Sequence, residues 1–120
     1  MARFNRSAER VKRHRRIRKS IHGTTARPRL CVFKSVHHVS AQVVDDERRV
    51  TLASVSTMEK DIRGQVTGPN VAAAQKIGEI LAGRALEAGV RAVVFDRGGH
   101  PYHGVISAFA EACRKGGLEF

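Results

Sequence analysis

Apolar and polar positions change pattern several times along the chain, and each change predicts an element. Residues 29–35, 38–45 and 50–56 are short, rich in β-branched side chains and partly alternating, which predicts three strands. Their connections are too short for crossovers, so we expect an antiparallel meander. Residues 60–69 contain two glycines and are predicted to form a loop or a frayed turn.

The second half of the chain alternates between helical and strand patterns. A helix is predicted from 70 to about 88, with Asn70 as its N-cap and Gly89 as its stop. Residues 91–96 are an apolar run, which predicts a strand buried on both faces and parallel to a neighbour. After a glycine-rich loop, apolar residues in 105–113 recur at helical spacing. The predicted fold is α/β: a mixed sheet made of a three-stranded antiparallel meander, followed by α-β-α.

Charge divides the chain into an arm and a domain. The 120 residues carry 22 Lys+Arg against 11 Asp+Glu, a formal net charge of +11, and 42% of them are hydrophobic. Ten of the basic residues but only one acidic residue, Glu9, fall in residues 1–27. We therefore expect a basic N-terminal arm over 1–27, disordered or helical, and a single α/β domain over 28–120. The excess charge indicates a polyanionic partner.

Several kinds of segment share the composition of the arm. A mitochondrial transit peptide is arginine-rich but usually also serine-rich, and a nuclear localisation run remains a second alternative. A membrane-surface helix needs bulky apolar residues on one face, and the chain has none between Phe4 and Leu30 other than Val11, Ile17 and Ile21. No apolar run is long enough to span a bilayer, so we expect no membrane partner. A nucleic-acid backbone fits best, because guanidinium groups bind phosphate bidentately.

Metal chemistry has weak support in the sequence. The candidate ligands are Cys31, Cys113 and the histidines, among which His100 and His103 have tolerable spacing. Zinc sites usually contain clustered pairs such as CxxC, and this chain has none. Both cysteines lie in apolar patterns typical of buried core positions. We therefore predict no metal and no other cofactor.

The sequence contains candidates for two further kinds of site, a nuclease site and a phosphate-binding loop. A nuclease could use Asp45, Asp46 and Asp96, but the first two are typical of a turn. The loop that begins at Asp96 follows a strand and precedes a helix, the geometry that binds phosphate, although it lacks the mononucleotide-binding motifs. It could contact RNA through Arg97 and Tyr102, or be only a tight turn; the residues alone leave both open.

Five blocks together resemble the bacterial large-subunit ribosomal protein eighteen family. They are residues 27–35, 38–43, 51–57, 94–104 and 117–120. The resemblance covers essentially the whole chain, and it implies a structural protein of the ribosome in the cytoplasm, not an enzyme. It also implies binding of 5S rRNA and its attachment to the large-subunit rRNA in the central protuberance. The implied partners are both RNAs and ribosomal protein five of the large subunit, with a monomer in the ribosome and no small-molecule substrate.

The resemblance also implies which residues bind RNA. They lie in the arm, the first strand and its turn, and the loop before the last helix. They are Arg10, Lys12, Arg13, Arg15, Arg16, Arg18, Lys19, Arg27, Arg29, Lys34, Ser35, His38, Arg97, Gly98, Gly99, Tyr102, His103 and Gly104. The chain departs from the family at Val105, where a basic residue is usual, and at His100 and Pro101, which replace an aromatic-aliphatic pair. A metal-dependent nuclease and a general nucleic-acid compactor remain the alternative functions.

Overall fold

A computed structural model describes residues 6–66 and 68–120. The elements follow one another in the order α1 (Arg6–Ser20), β1 (Arg29–Lys34), β2 (Val39–Asp45), β3 (Val50–Ser56), α2 (Lys60–Arg63), α3 (Val71–Glu87), β4 (Val94–Asp96) and α4 (Val105–Lys115). The predicted α/β class is confirmed, and the arm is helical over Arg6–Ser20. Its first five residues lie outside the described part, as does Thr67 in the predicted loop.

The strands form one mixed sheet in the order β3-β2-β1-β4. The first three strands make the predicted antiparallel meander, and β4 pairs in parallel with β1. Leu30 lies opposite Val43 on one side and opposite Phe95 on the other. Buried residues alternate with more exposed ones along β2, as its sequence pattern predicts.

Helices α3 and α4 supply the other layer of the core. Leu30 and Val32 of β1 are fully buried, together with Ile77 and Leu81 of α3 and Phe109 of α4. Complete burial of an aliphatic or phenylalanine side chain stabilises a fold by about 1.5–3 kcal/mol. Successive strand residues point to opposite faces, so the other face of β1 is left to different side chains, which form the site described below.

The fourth strand is shorter and more exposed than predicted. Of the run 91–96, only Val94–Asp96 pairs with β1, and Val94 and Phe95 are partly exposed. The chain ahead of β4 pairs instead with the C-terminal segment, because Val93 N–H donates to the Glu119 carbonyl oxygen at 3.0 Å. The prediction of a six-residue strand buried on both faces was therefore wrong.

A one-turn helix lies in the segment 60–69, which is predicted from the sequence to be a loop or a frayed turn. This helix, α2, follows Glu59, whose carbonyl oxygen accepts hydrogen bonds from the backbone N–H groups of Ile62 and Arg63 at 3.0 and 2.9 Å. The Ile62 side chain is buried in the core. Burial of this single apolar residue in a polar segment stabilises a turn that periodicity could not reveal.

The long helix α3 begins and ends where the sequence predicts. The Asn70 side chain accepts a hydrogen bond from Ala73 N–H at 2.8 Å. At the other end Gly89 has a φ of 83°, and Val90 N–H donates to the Ala85 carbonyl oxygen. Among residues 6–66 and 68–120, no helix is both long enough and apolar enough to cross a membrane.

Two glycines of α3 should respond oppositely to alanine. A Cβ atom at Gly78 would lie 2.7 Å from Ala112 Cβ and 2.9 Å from the Phe109 carbonyl oxygen, so Gly78→Ala forces α3 and α4 apart. We expect it to lower the free energy of unfolding by about 1–3 kcal/mol. Gly83→Ala is the matched control, because its Cβ position lies more than 4 Å from every described atom outside the local backbone of α3. It should raise stability by up to about 1 kcal/mol through helix propensity. Urea denaturation measures both, and equal effects would contradict the close contact.

Candidate nucleic-acid interface

Helix α1 divides its side chains between two faces. The docked face is partly buried and consists of Arg10, Arg13, His14, Ile17 and Arg18. The outer face is exposed and consists of Lys12, Arg15, Arg16 and Lys19. Because α1 contains no buried residue, hydrophobic burial contributes little to its position. Polar contacts of the docked face hold the helix on the domain.

Two arginines attach α1 to the glycine loop between β4 and α4. Arg10 Nη1 donates to the Gly98 carbonyl oxygen at 3.2 Å, and Arg13 Nε donates to that of Gly99 at 2.9 Å. Both glycines have positive φ values, 66° and 82°. A Cβ at Gly99 would also collide with the Arg10 carbonyl oxygen and lie 3.0 Å from His14 N. The loop needs glycine because the helix backbone passes directly over it.

A buried carboxylate lies beneath this contact. Asp96 is 0% exposed, and its Oδ2 lies 2.9 Å from His14 Nε2 and 2.8 Å from Arg29 Nη1. Its Oδ1 accepts a hydrogen bond from Gly98 N–H at 2.8 Å. Burial alone would raise the pKa of Asp96, but the hydrogen bonds from Gly98, His14 and Arg29 outweigh it and lower that pKa below its ordinary value.

Arg29 connects this carboxylate to a second one, Asp46. Its Nε and Nη2 donate to Asp46 Oδ2 and Oδ1 at 3.0 and 3.3 Å. Asp46 Oδ2 also accepts from Gly23 N–H at 2.7 Å and lies 3.4 Å from Arg18 Nη1. Despite partial burial, the hydrogen bonds from Arg29 and Gly23 lower the pKa of Asp46, and the hydrogen bonds to Asp46 and Asp96 raise that of Arg29. Arg29 was predicted to bind RNA, and the structure places it in an internal ion pair with both acids.

Three metal-ligating groups also meet here. His14, Cys31 and Asp96 bring a ring nitrogen, a thiol and a carboxylate within 4.8 Å of one another. However, the Arg29 guanidinium already contacts Asp96 Oδ2, so a metal ion would have to share that oxygen with a positive charge. Burial and the charge of Asp96 raise the pKa of Cys31 to about 11, which keeps the thiol protonated at neutral pH. Internal hydrogen bonds and charge pairing account for the cluster.

The other predicted RNA-binding residues lie just before β1, at the end of β1 and in the turn after it, and in the loop before α4. Those exposed to solvent are Arg27, Lys34, Ser35, Tyr102, His103 and Gly104. His38 and Arg97 are partly buried. Lys34, His103 and Gly104 line one shallow cavity of about 350 Å³, so the structure brings the first-strand turn next to the last loop. Gly98 and Gly99, by contrast, are buried.

A larger groove separates α1 from the end of β1, and we call it the arm groove. Its volume is about 660 Å³, and its main lining side chains are Arg6, Arg10, Arg13, Phe33, Lys34 and His100. Burial, together with the charges of Arg10 and Lys34, lowers the pKa of His100 to about 4. His100 is therefore neutral at physiological pH, beside a concentration of positive charge.

The three carboxylates that a nuclease could use each have other partners in the fold. Asp45 Oδ1 accepts hydrogen bonds from the backbone N–H groups of Glu47 and Arg48 at 3.0 and 3.1 Å, which confirms the predicted turn role. Asp46 and Asp96 each contact the guanidinium of Arg29. A pair of catalytic metal ions requires carboxylates that converge on an open site. Asp46 and Asp96 converge on an arginine instead, and Asp45 belongs to its turn.

Replacing the buried carboxylate should weaken the whole fold. Asp96→Asn leaves the Arg29 charge without one of its two acids and disturbs the hydrogen bond to His14. We expect the free energy of unfolding at neutral pH to fall by about 3–5 kcal/mol, as for other broken buried pairs. Asp61→Asn, on the exposed surface of α2, is the control and should change it by less than about 0.5 kcal/mol. A loss below about 1 kcal/mol for Asp96→Asn in urea denaturation would contradict this account.

Stability should also depend on pH in a defined direction. Because the pKa values of Asp46 and Asp96 are lowered on folding, the unfolded chain binds more protons than the folded one in acid. Their contribution is complete above the unfolded pKa, about pH 4, and is lost as the pH falls through the folded values. Urea titrations from neutral pH to about pH 2 should show this loss. The Asp96→Asn variant should show a shallower decline, and parallel curves would exclude Asp96 as its source.

Comparison with known proteins identifies the family. A model of ribosomal L18 from archaea, bacteria, mitochondria and chloroplasts matches residues 4–120. The large ribosomal subunit protein uL18 of Pelotomaculum thermopropionicum is 54% identical over 117 residues, covering 97% of this chain and 96% of the relative. That of Bacillus cytotoxicus is 53% identical over 116 residues, with coverage of 97% and 96%. The resemblance found in the sequence is confirmed, and this chain belongs to the L18 family, whose members are structural proteins of the large ribosomal subunit and not enzymes.

Proposed function

We propose that this protein binds 5S rRNA through the outer face of α1 and helps attach it to the large-subunit rRNA in the central protuberance. The observation that carries the proposal is the outer face itself. Its four cations, Lys12, Arg15, Arg16 and Lys19, are exposed on a helix whose opposite face is fixed to the domain. Family membership supports the ribosome as the place where this surface acts.

A fixed helix suits a phosphate backbone better than a flexible arm does. Contacts from Arg13 and His14 already position α1, so less conformational entropy is lost when RNA binds. Side chains three and four residues apart lie on the same side of a helix, which groups the cations of the outer face. With four phosphate contacts, the slope of log K against log salt should be about −3.

The open face of the sheet supports a second set of contacts. Small hydroxyl and amide side chains of β2 and β3 line a shallow cavity of about 420 Å³, among them Ser40, Gln42 and Ser54. Such groups can hydrogen-bond the 2′-hydroxyls that distinguish RNA from DNA. Beyond the sheet, Tyr102 is 42% exposed, and its hydroxyl accepts a hydrogen bond from Arg114 Nη1 at 3.0 Å. We propose that these surfaces contribute selectivity, with ribosomal protein five as a further partner of the monomer.

We also retain the division into a basic arm, 1–27, and a domain, 28–120. In support of it, the core packs between β1–β3 and the helices α3 and α4, and α1 contributes no buried residue. The arm is nevertheless attached through hydrogen bonds to the loop after β4. The two parts therefore act as one RNA-binding body in the cytoplasmic ribosome.

General nucleic-acid compaction is the second candidate function, since a cationic helix binds any polyanion. Filter binding with labelled 5S rRNA and an excess of unrelated RNA of similar length separates the two. A 5S rRNA binder keeps most of its complex under this competition, because its domain contacts depend on RNA shape. A compactor loses the complex in proportion to competitor mass, and that result would overturn the proposal.

Neutralising two outer-face arginines should weaken RNA binding through electrostatics alone. With Arg15→Ala and Arg16→Ala combined, we expect the slope of log K against log salt to become less steep by about 1.4–1.8, the value for two phosphate contacts. The matched control combines Arg63→Ala on α2 with Lys115→Ala at the end of α4, since both residues are exposed and the net charge falls equally. Filter binding at several salt concentrations measures the slopes. Equal changes in the two double variants would mean that net charge, not the outer face, governs binding.

A further inference from the structure

The arm groove combines positive charge with an exposed aromatic ring. Arg6 and Lys34 line it from its two sides and are exposed, and Arg10 and Arg13 form its α1 wall. Arg10 and Arg13 each donate one hydrogen bond to a glycine carbonyl. A guanidinium has five N–H donors, so both arginines retain donors for a ligand.

Phe33 is the aromatic residue of this groove. It is 45% exposed although it lies in β1, where its neighbour Val32 is completely buried. The Arg10 guanidinium carbon lies 5.3 Å from the centroid of its ring, and the His100 ring meets it edge-on at 5.9 Å. These two contacts fix the orientation of the ring while leaving nearly half of the side chain accessible. An exposed ring held among cations is the arrangement that single-stranded RNA binders use for stacking a base next to its phosphate.

We propose that the arm groove binds one unpaired nucleotide of the RNA, with its base stacked on Phe33 and its flanking phosphates bound by Arg6, Arg10 and Lys34. This inference rests on the proposed function, because it takes RNA as the ligand of α1. The volume of about 660 Å³ lies within the range of pockets that hold small organic ligands, and a nucleotide is of that size.

Charge in the groove favours a nucleotide over an apolar or cationic ligand. The acid at its rim, Glu9, lies 3.5 Å from Lys12, which partly offsets its charge. His100 is neutral at physiological pH, so its ring can pack beside a base without adding repulsion between cations. A phosphate entering the groove therefore meets several guanidinium and ammonium groups and one balanced carboxylate.

The test compares two RNA hairpins that differ only in one bulged 2-aminopurine nucleotide, together with 5S rRNA. The wild-type protein should bind the bulged hairpin about five- to tenfold more tightly than the fully paired one, as expected for stacking of one base. Phe33→Leu keeps an apolar side chain in β1 but removes the ring, and it should reduce this preference to less than about twofold. The salt slope should stay unchanged, because no phosphate contact is lost. Phe33→Tyr should restore the preference.

Val71→Ala is the matched control. Val71 is 44% exposed at the start of α3 and does not line the groove, so the bulge preference should survive its truncation. Thermal unfolding of every variant shows whether the fold is kept. Loss of preference in Val71→Ala as well, or a preference that Phe33→Leu leaves intact, would overturn the inference. If the wild-type protein prefers 5S rRNA over unrelated RNA but does not prefer the bulged hairpin over the paired one, only the inference about the groove is refuted. If it prefers the bulged hairpin but not 5S rRNA, the proposed RNA partner is refuted and the inference about the groove is supported.

Discussion

The buried carboxylate of Asp96 is the constraint on which the site depends. An ionised carboxylate without solvent exposure requires charged or hydrogen-bonding partners, and Asp96 draws them from three parts of the chain, two of them distant in sequence. Arg29 comes from β1, Gly98 from the following loop and His14 from α1. A helix with no buried side chain is thereby tied to the sheet. The position of the proposed RNA-binding surface follows from this internal charge balance.

The arginines of the arm consequently have two different tasks. Arg10, Arg13 and Arg18 bond to carbonyl oxygens or to Asp46, whereas Arg15 and Arg16 lie exposed on the other side of the helix. From the sequence alone, all of these arginines are predicted to form one phosphate-binding run. The structure divides the run at helical spacing, and only about half of its cations form the outer face. Attachment to the domain and the proposed affinity for RNA therefore reside in neighbouring residues of one helix.

Periodicity predicted most of the sheet and the two core helices α3 and α4, because their apolar faces repeat at intervals that a sequence displays directly. Alternation identified β2, and the residues Asn70 and Gly89 marked the ends of α3. The docking of α1 had no such signal, since His14 and Asp96 are polar and separated by 82 positions. Asp46 was equally hidden, because it adjoins Asp45 and resembled a second turn residue. Contacts between distant polar groups depend on the three-dimensional fold, so a local pattern cannot predict them.

Docking also explains why α1 is a helix. A segment of 15 residues is only marginally helical in isolation, and dense like charge destabilises it further. Contacts to Gly99 and Asp96 supply the helix stability that the local sequence lacks, and both contacts are made by the docked face. The same contacts hold Arg10 over Phe33 and so form one wall of the arm groove. The outer face and the groove are thus two consequences of the docking of α1. Any change that releases the helix removes the groove. The cations of the outer face would remain on the chain and keep a non-specific attraction for phosphate.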